Sequence, residues 1–379
     1  MADSVDTIKL AAKALQAGRA EEAISLLTQA IDSGAASNEL YTALGICLQR
    51  AGRFPESLTA ADNAISLGAN NPKAWILKGA LHEILDQPRA ALQAYQNVQE
   101  LGQKLPNLPQ SLKNEITSKA SRIPALIEQL ETKTYKALSD LGFGSNDEDQ
   151  RFSNGLDILF GRRQIHYQEP RQFYFPELPQ REFYRAEEFS WANALMESWE
   201  KVRDEALALM AEPELFAPYL ETDENRPSNE HVAMADNPDW SAFYLIRDGV
   251  NVPENISRCP ETMAALENVD LCRTGGGTPS VLFSLLKAGA HIPPHNGMLN
   301  TRLICHLPVI VPPKCEFRVG NTKISWSEGD LIIFDDSINH EAWNNSDQDR
   351  VVLLFDIWRP ELTQRERSLV SKLLEISNA

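Results

Sequence analysis

The sequence predicts two kinds of fold in one chain, an α-helical repeat array followed by a β-rich sandwich or barrel. Three observations predict this. A 34-residue interval runs through the first hundred residues, short apolar runs fill the part after Trp240, and the composition is that of a soluble folded protein. The chain has 379 residues, 43% hydrophobic and 23% charged. Two or three domains are expected, and global disorder is excluded. Lys and Arg total 36 against 53 Asp and Glu, a formal charge of −17. That balance argues against a nucleic acid or an anionic membrane surface as the main partner. No window reaches ~18 consecutive apolar residues, so no transmembrane segment is expected. The opening MADSVDTIKL lacks a basic stretch followed by an apolar one, and a cytoplasmic location is expected. The five cysteines form no CxxC and read as reduced thiols; Cys259 with Cys272 is the one pair weighed as a bridge.

The repeats come first. Gly18-Arg19 recurs as Gly52-Arg53, and Asp86 is the next equivalent, each 34 residues on. Gly34, Gly68 and Gly102 keep the interval, as do Ala11, Gly45 and Gly79, and Tyr41 with Trp75. Thirty-four residues is the length of a tetratricopeptide unit, two antiparallel helices with small residues where they cross. About three repeats are expected over residues 1–104, forming a short array whose concave face docks an extended peptide. The bland alternative is an architectural or dimerising arm. Residues 105–165 are expected to hold a capping helix, from helical spacing over 114–141, and a polar, glycine-containing linker over 142–163.

Residues 166–379 form the third segment. Its aromatic and proline-rich entry, 167–179, is expected to pack as irregular chain. Residues 191–210 have helical spacing, and the acidic stretch 212–237 reads as a loop that acts as a lid. Strands are expected at 243–246, 281–286, 301–311, 316–319, 323–326, 331–334 and 351–358, separated by turn residues, with a closing helix at 368–376.

The chemistry lies in this β-rich part. His295 follows Pro293-Pro294 at a strand end, and His340 sits in a turn behind the apolar run 331–334. Two imidazoles at the mouths of neighbouring strands can hold one divalent transition metal. Arg350 starts the last strand, and a dicarboxylate is the partner a guanidinium in a barrel mouth needs. Alternation puts Arg302, Ile304 and His306 on one face of their strand. With Ser284 and Arg350 they make a polar, cationic pocket beside the two histidines. Each residue also has a plainer reading. A lone histidine is more often structural, and His291 is the candidate for that role. Arg350 alone would pair with Asp347 or Asp349 at the surface, and Asp335-Asp336 would form a turn.

Residues 280–362 resemble the catalytic domain of the aspartyl/asparaginyl β-hydroxylases. The motifs that carry the resemblance are Ser284, His291-Ile292-Pro293-Pro294-His295-Asn296-Gly297, Asn300-Thr301-Arg302-Leu303, His306-Leu307, Trp326-Ser327-Glu328-Gly329, Phe334-Asp335-Asp336-Ser337, His340-Glu341, Arg350 and Asp356-Ile357-Trp358-Arg359-Pro360-Glu361-Leu362. With its entry region the likeness runs over 173–362. It implies a double-stranded β-helix of jelly-roll or cupin type and an oxygenase that uses Fe(II), 2-oxoglutarate and O2. It implies His295 and His340 as iron ligands, Arg350 and Ser284 on the distal carboxylate of 2-oxoglutarate, and His306 on the cosubstrate side, with Arg302 beside them. The carboxylate of the usual facial triad falls at Gly297, a gap the resembled family shares. One departure is Ile304, where the family commonly has a second arginine; Arg359, where it often has histidine, reads as peripheral.

The function so implied is a 2-oxoglutarate-dependent dioxygenase. It hydroxylates an unactivated C–H, first the β-carbon of Asp- or Asn-type residues in a peptide or protein docked by the repeats. The alternative substrate is a small molecule or a lipid acyl chain, which Ile304 suits better. A third reading is a non-catalytic repeat scaffold with a vestigial barrel.

Overall fold

A computed structural model describes residues 2–105, 107–144, 149–220, 235–275 and 277–377. The chain divides into two compact units, residues 1–162 and 163–379.

The first unit is helical. Its helices are α1 (Ala2–Gln16), α2 (Ala20–Ala30), α3 (Asn38–Arg50), α4 (Phe54–Leu67), α5 (Pro72–Ile84), α6 (Pro88–Lys104), α7 (Gln110–Ala120), α8 (Ile123–Ser139) and α9 (Gln150–Leu159). The 34-residue interval has two physical causes. Gly18, Gly52 and Asp86 close the turns α1–α2, α3–α4 and α5–α6 in the left-handed region, at φ of 75°, 78° and 52°. The residue after each donates its N–H back to Ala14, Leu48 and His82, at 2.9, 2.9 and 2.8 Å, the bonding of a Schellman cap. The small residues sit where helices touch. A Cβ on Gly45 would lie 2.6 Å from Leu77, and one on Gly79 would lie 2.6 Å from Tyr95 Cδ1 and closer still to Cε1.

The stretch expected to hold one capping helix holds two. Leu112 and Ile116 of α7 cluster with Ile76 and Val98, and Leu126 of α8 with Ala91 and Tyr95. Pro124 starts α8 in its first turn, where a missing N–H costs nothing. The expected linker 142–163 contains α9. Its Phe152, Leu156 and Leu159 follow helical spacing that glycines on both sides obscured, and Leu156 is buried.

Among its described residues the second unit has twelve strands, β1 (Phe183–Tyr184), β2 (Ala217–Pro218), β3 (Trp240–Arg247), β4 (Val250–Asn251), β5 (Val281–Leu286), β6 (His291–His295), β7 (Arg302–Ile310), β8 (Cys315–Val319), β9 (Thr322–Ser325), β10 (Ile332–Phe334), β11 (His340–Asn344) and β12 (Arg350–Trp358). Two antiparallel sheets result. The larger runs β1-β10-β7-β12-β5-β3-β2 with β4 beside β3, and the smaller β6-β11-β8-β9. Strand alternation divides the larger sheet's side chains between two cores. Phe283, Cys305, Leu307, Leu353 and Phe355 cluster with Trp191, Leu195, Val202 and Ala206 of α10 (Ala192–Glu197) and α11 (Trp199–Met210). Their neighbours Leu282, Ile304, Val352 and Leu354 cluster with Ile292, Phe317, Val319 and Ala342 of the smaller sheet. The order is therefore helices, large sheet, small sheet, with the site between the sheets. Short helix α12 (Pro253–Ile256) packs on β3 and α13 (Pro260–Ala265) on α11, and α14 (Gln364–Ser377) buries Val370 and Leu374 against Trp358.

Several expectations are corrected. The helix expected at 191–210 is two helices, parted at Ser198. β6 and β11 escaped sequence reading. Pro293-Pro294 argues against a strand, but β6 is an edge strand, where a missing N–H is tolerated. His340 begins β11 instead of lying in a turn. Arg350 is 1% exposed and does not pair with Asp347 or Asp349. Arg359 is not peripheral to the fold, since it is fully buried. All five cysteines are free and buried, so Cys259 and Cys272 do not bridge. Of the stretch read as a lid, residues 221–234 lie outside the described residues. The entry segment behaves as expected, its Phe175 N–H donating to Asn300 Oδ1 at 2.7 Å.

Candidate active site

The site starts from one register. His340 at the head of β11 stands directly opposite His295 at the end of β6. Their ring centroids lie 4.0 Å apart. Each ring is oriented by its own backbone. Nδ1 of His295 donates to the Pro293 carbonyl at 2.8 Å, and Nδ1 of His340 to the Ile338 carbonyl at 3.0 Å. A carbonyl only accepts, so Nδ1 carries the proton and Nε2 keeps the lone pair a metal needs. Burial, and then His295, holds His340 well below the usual histidine range, so it stays neutral at pH 7. Two imidazoles oriented this way fit a first-row transition metal.

Among the described residues, no group of three His, Cys, Asp or Glu side chains comes together as a metal site. The reason at residue 297 is steric. A Cβ there would lie 2.8 Å from Asp336 Oδ1 and closer still to the rest of that carboxylate. Gly297 also donates its N–H to the Asp336 carbonyl at 2.6 Å, which locks the two together. Gly297→Asp is therefore expected to destabilise the protein by about 1–3 kcal/mol without adding a ligand. Urea unfolding and metal titration of the variant check this; tighter metal binding at unchanged stability would refute it.

Beside the histidines lies a cavity of about 220 Å³ lined by Ser284, Arg302, His306, Asp336 and Arg350 among others. Arg350 is the unusual member. Its Nε and Nη1 are buried with no hydrogen-bond partner. It rests on the Trp326 ring, with the guanidinium carbon 4.9 Å from the centroid. Burial lowers its pKa to about 10. His306 stacks on the same indole at 5.3 Å, and its Nδ1 and the Trp326 Nε1 are also buried without partners. Burial, then the Arg350 charge, keeps His306 neutral. Ser284 Oγ accepts from Trp240 Nε1 at 3.2 Å, which leaves its hydroxyl proton to donate elsewhere. A charged guanidinium and two buried polar rings without partners make a socket that is incomplete without an anion. A carboxylate fits it.

Arg302 differs. It lines the same cavity, but Nη1 donates to Asp356 at 2.9 Å and Nη2 to Asp336 at 3.3 Å. Burial opposes its charge, yet the two aspartates outweigh burial and raise its pKa. Its cation is answered inside the protein, and it is not part of the unpartnered socket. Asp336 is therefore an ion-pair partner as well as a turn residue, and burial holds it up at about 6 despite Arg302. His291 stays outside the pocket lining, pairs with Glu341 at 3.1 Å and stacks on Trp343. Trp240, Trp326 and Tyr219 were not singled out as site residues. An indole N–H without a partner is a tertiary fact that no local pattern signals.

Two imidazoles and an anion socket thus lie together between two antiparallel sheets. Comparison adds to this. Residues 196–360 match the family described as Aspartyl/Asparaginyl beta-hydroxylase, and residues 14–81 match Tetratricopeptide repeat. The second unit thus contains a region similar to the aspartyl/asparaginyl β-hydroxylase family, and the first a region similar to tetratricopeptide repeats. The aspartyl/asparaginyl beta-hydroxylase of Mus musculus is 34% identical over 46% of this chain and 22% of its own length. The ornithine lipid ester-linked acyl 2-hydroxylase of Rhizobium tropici is 32% identical over 45% of this chain and 58% of its own. The aspartate beta-hydroxylase domain-containing protein 2 of Xenopus tropicalis is 27% identical over 54% and 55%. The aligned part is about a fifth of the mouse relative and just over half of the other two. Among the described residues, no helix is long and apolar enough to cross a membrane.

Proposed function

We propose that the second unit is an Fe(II)- and 2-oxoglutarate-dependent dioxygenase with the jelly-roll architecture of that class. His295 and His340 hold the iron through Nε2. Arg350 binds the distal carboxylate of 2-oxoglutarate, with Ser284, His306 and Trp326 donating around it. The observation that carries this reading is the buried Arg350 guanidinium with no carboxylate partner among the described residues. The chemistry a bound iron supplies is the coupling of 2-oxoglutarate decarboxylation to hydroxylation of an unactivated C–H. The rest falls to the protein. The backbone carbonyls of Pro293 and Ile338 hold both imidazoles in one tautomer, and Trp326 covers the guanidinium from water. The small sheet and the large sheet together exclude solvent from the reacting atoms.

The mouse relative supports an Asp- or Asn-type side chain as substrate, and the R. tropici relative supports a lipid acyl chain. The paired state of Arg302 favours the second. The tetratricopeptide match supports a protein partner docked along the repeats, which need not be the molecule that is oxidised.

Anaerobic titration of the full chain with Fe(II) and 2-oxoglutarate tests the proposal. A visible absorption band appears only with both, and at about 100 times its Kd the cosubstrate stabilises the fold by about 2.7 kcal/mol. His340→Ala loses the band and lowers metal affinity by roughly 100-fold or more, beyond the 10–100-fold typical of a ligand's supporting partner. A band unchanged in that variant would refute the assignment.

A further inference from the structure

We propose that Pro293 and Pro294 are positioning residues for the two-histidine site: they hold an extra residue in β6, and that residue turns His295 from the outer face of the small sheet to the face of His340. This rests on the reading of His295 and His340 as a metal pair and concerns what builds the pair.

The register of β6 against β11 contains the extra residue. Trp343 pairs with His291 and Ala342 with Ile292, as a regular antiparallel ladder requires. The next pair is His340 with His295. Between Ala342 and His340 stands Glu341 alone, whereas between Ile292 and His295 stand both prolines. Two residues opposing one make a β-bulge.

The bulge matters because side chains alternate with a period of two. β11 buries His340, Ala342 and Asn344 and turns Glu341 and Trp343 the other way. Opposite them, Ile292 is buried between the sheets, while His291 is exposed on the outer face, stacked on Trp343 and paired with Glu341. In an unbroken strand residue 295 has the parity of residue 291. His295 would then stand on the outer face, across the sheet from His340. The extra residue reverses the parity after Ile292. His295 therefore arrives on the inner face, in the cavity lining, with its ring centroid 4.0 Å from that of His340. The bulge also orients the ring, since the carbonyl that accepts from Nδ1 at 2.8 Å belongs to Pro293.

Prolines suit this place for a physical reason. Neither has an N–H to give a ladder, and each fixes φ at about −65°, so a regular rung against Glu341 is unfavourable. The flanks hold the register on both sides. Before the bulge, a slip of one residue would expose Ile292, which is buried. After it, Asn296 Nδ2 donates to the Ser337 carbonyl at 2.8 Å, and the Gly297 N–H donates to that of Asp336 at 2.6 Å. Both bonds tie the chain to the turn that leads into β11. The backbone alone thus sets the geometry of the pair.

The test uses the full chain, titrated with Co(II) alone and followed by its visible absorption. The second readout is the NMR signature of the His295 ring nitrogens in the metal-free protein, which reports the nitrogen that carries the proton. Pro293→Thr with Pro294→Val restores both N–H groups and supplies strand-forming side chains. This double variant is expected to bind Co(II) at least about tenfold more weakly. It is also expected to lose the Nδ1–H form of His295, while unfolding in urea stays close to that of the parent. Pro293→Thr with Pro294 removed takes out the extra residue, so alternation alone returns the histidine to the inner face. That variant is expected to regain most of the lost affinity, whereas a merely structural role for the prolines would weaken both. Pro294→Val by itself, at an exposed position, is the milder change if the double variant does not fold, and it is expected to move both readouts in the same direction. Unchanged affinity and an unchanged ring signature in the folded variants overturn the inference, as does a deletion variant that binds no better than the double variant. A parent that binds no Co(II) overturns the metal reading, and the ring signature then still decides whether the prolines place His295.

Discussion

Arg350→Met abolishes protection of the protein by 2-oxoglutarate, and it does so without destabilising the ligand-free fold. The two halves of this result have opposite signs for one reason. In the ligand-free protein Arg350 is 1% exposed and has no anionic partner among the described residues. Burial lowers its pKa from the ordinary guanidinium range to about 10. That difference is about 3 kcal/mol of unfavourable burial at neutral pH. The Trp326 face returns about 0.5–2 kcal/mol of it. Because the folded value lies below the unfolded one, the unfolded chain holds the proton more tightly. The full cost stands at every pH below about 10 and fades only as pH rises from there towards the ordinary guanidinium range. Methionine fills similar volume without the charge, so unfolding of the ligand-free variant in urea is expected to be unchanged or up to about 3 kcal/mol harder. With the cosubstrate the sign reverses. Losing one side of a buried charged pair is worth about 2–5 kcal/mol, a drop in affinity of roughly 30-fold or more. A ligand-free variant markedly less stable than the parent would mean that Arg350 has an internal partner after all.

Asp335→Ala is expected to be the most destabilising single change in the second unit, at about 3–5 kcal/mol. Asp335 and Arg359 are both fully buried and meet at 2.7 Å. Arg359 also donates to the Asn300 carbonyl at 3.1 Å and to the Tyr184 hydroxyl at 2.8 Å. Asp335 accepts from Gln168 Nε2 at 2.7 Å and from the Ser337 N–H at 3.0 Å. The pair therefore ties the entry segment, β1, the loop before β7 and the turn before β11 into one polar knot. Removing the carboxylate leaves a guanidinium buried without its countercharge, which costs more than the pair contributes. The double variant Asp335→Ala, Arg359→Met removes that orphan and is expected to recover much of the loss. Chemical unfolding of the two single variants and the double variant measures the coupling. Equal and additive losses would show that the pair is not energetically linked.

Much of this was legible in the sequence. The 34-residue interval named the turns at Gly18, Gly52 and Asp86 and the crossings at Gly45 and Gly79, because left-handed backbone and close helix contact each demand particular residues at particular places. The strand at 281–286 was read to the residue, and alternation put Arg302, Ile304 and His306 on one face. His295 and His340 were named as a pair. The strands that carry them were not: Pro293-Pro294 in β6 are compatible with a strand only at a sheet edge, and edges are set by topology, while β11 has no proline but is only five residues long.

The balance of charge was beyond reach in the same way. Arg302, Arg350 and Arg359 are the same residue type in similar polar-apolar surroundings along the chain. One meets two aspartates that lie 34 and 54 positions away, one meets none, and one is buried against a carboxylate 24 positions away. Local spacing determined which residue types stand on which strand face, since that follows from backbone period alone. Only the tertiary structure decided which cations were already neutralised and which was left for a ligand, since Coulomb interaction and desolvation depend on distance in space and not on separation along the chain.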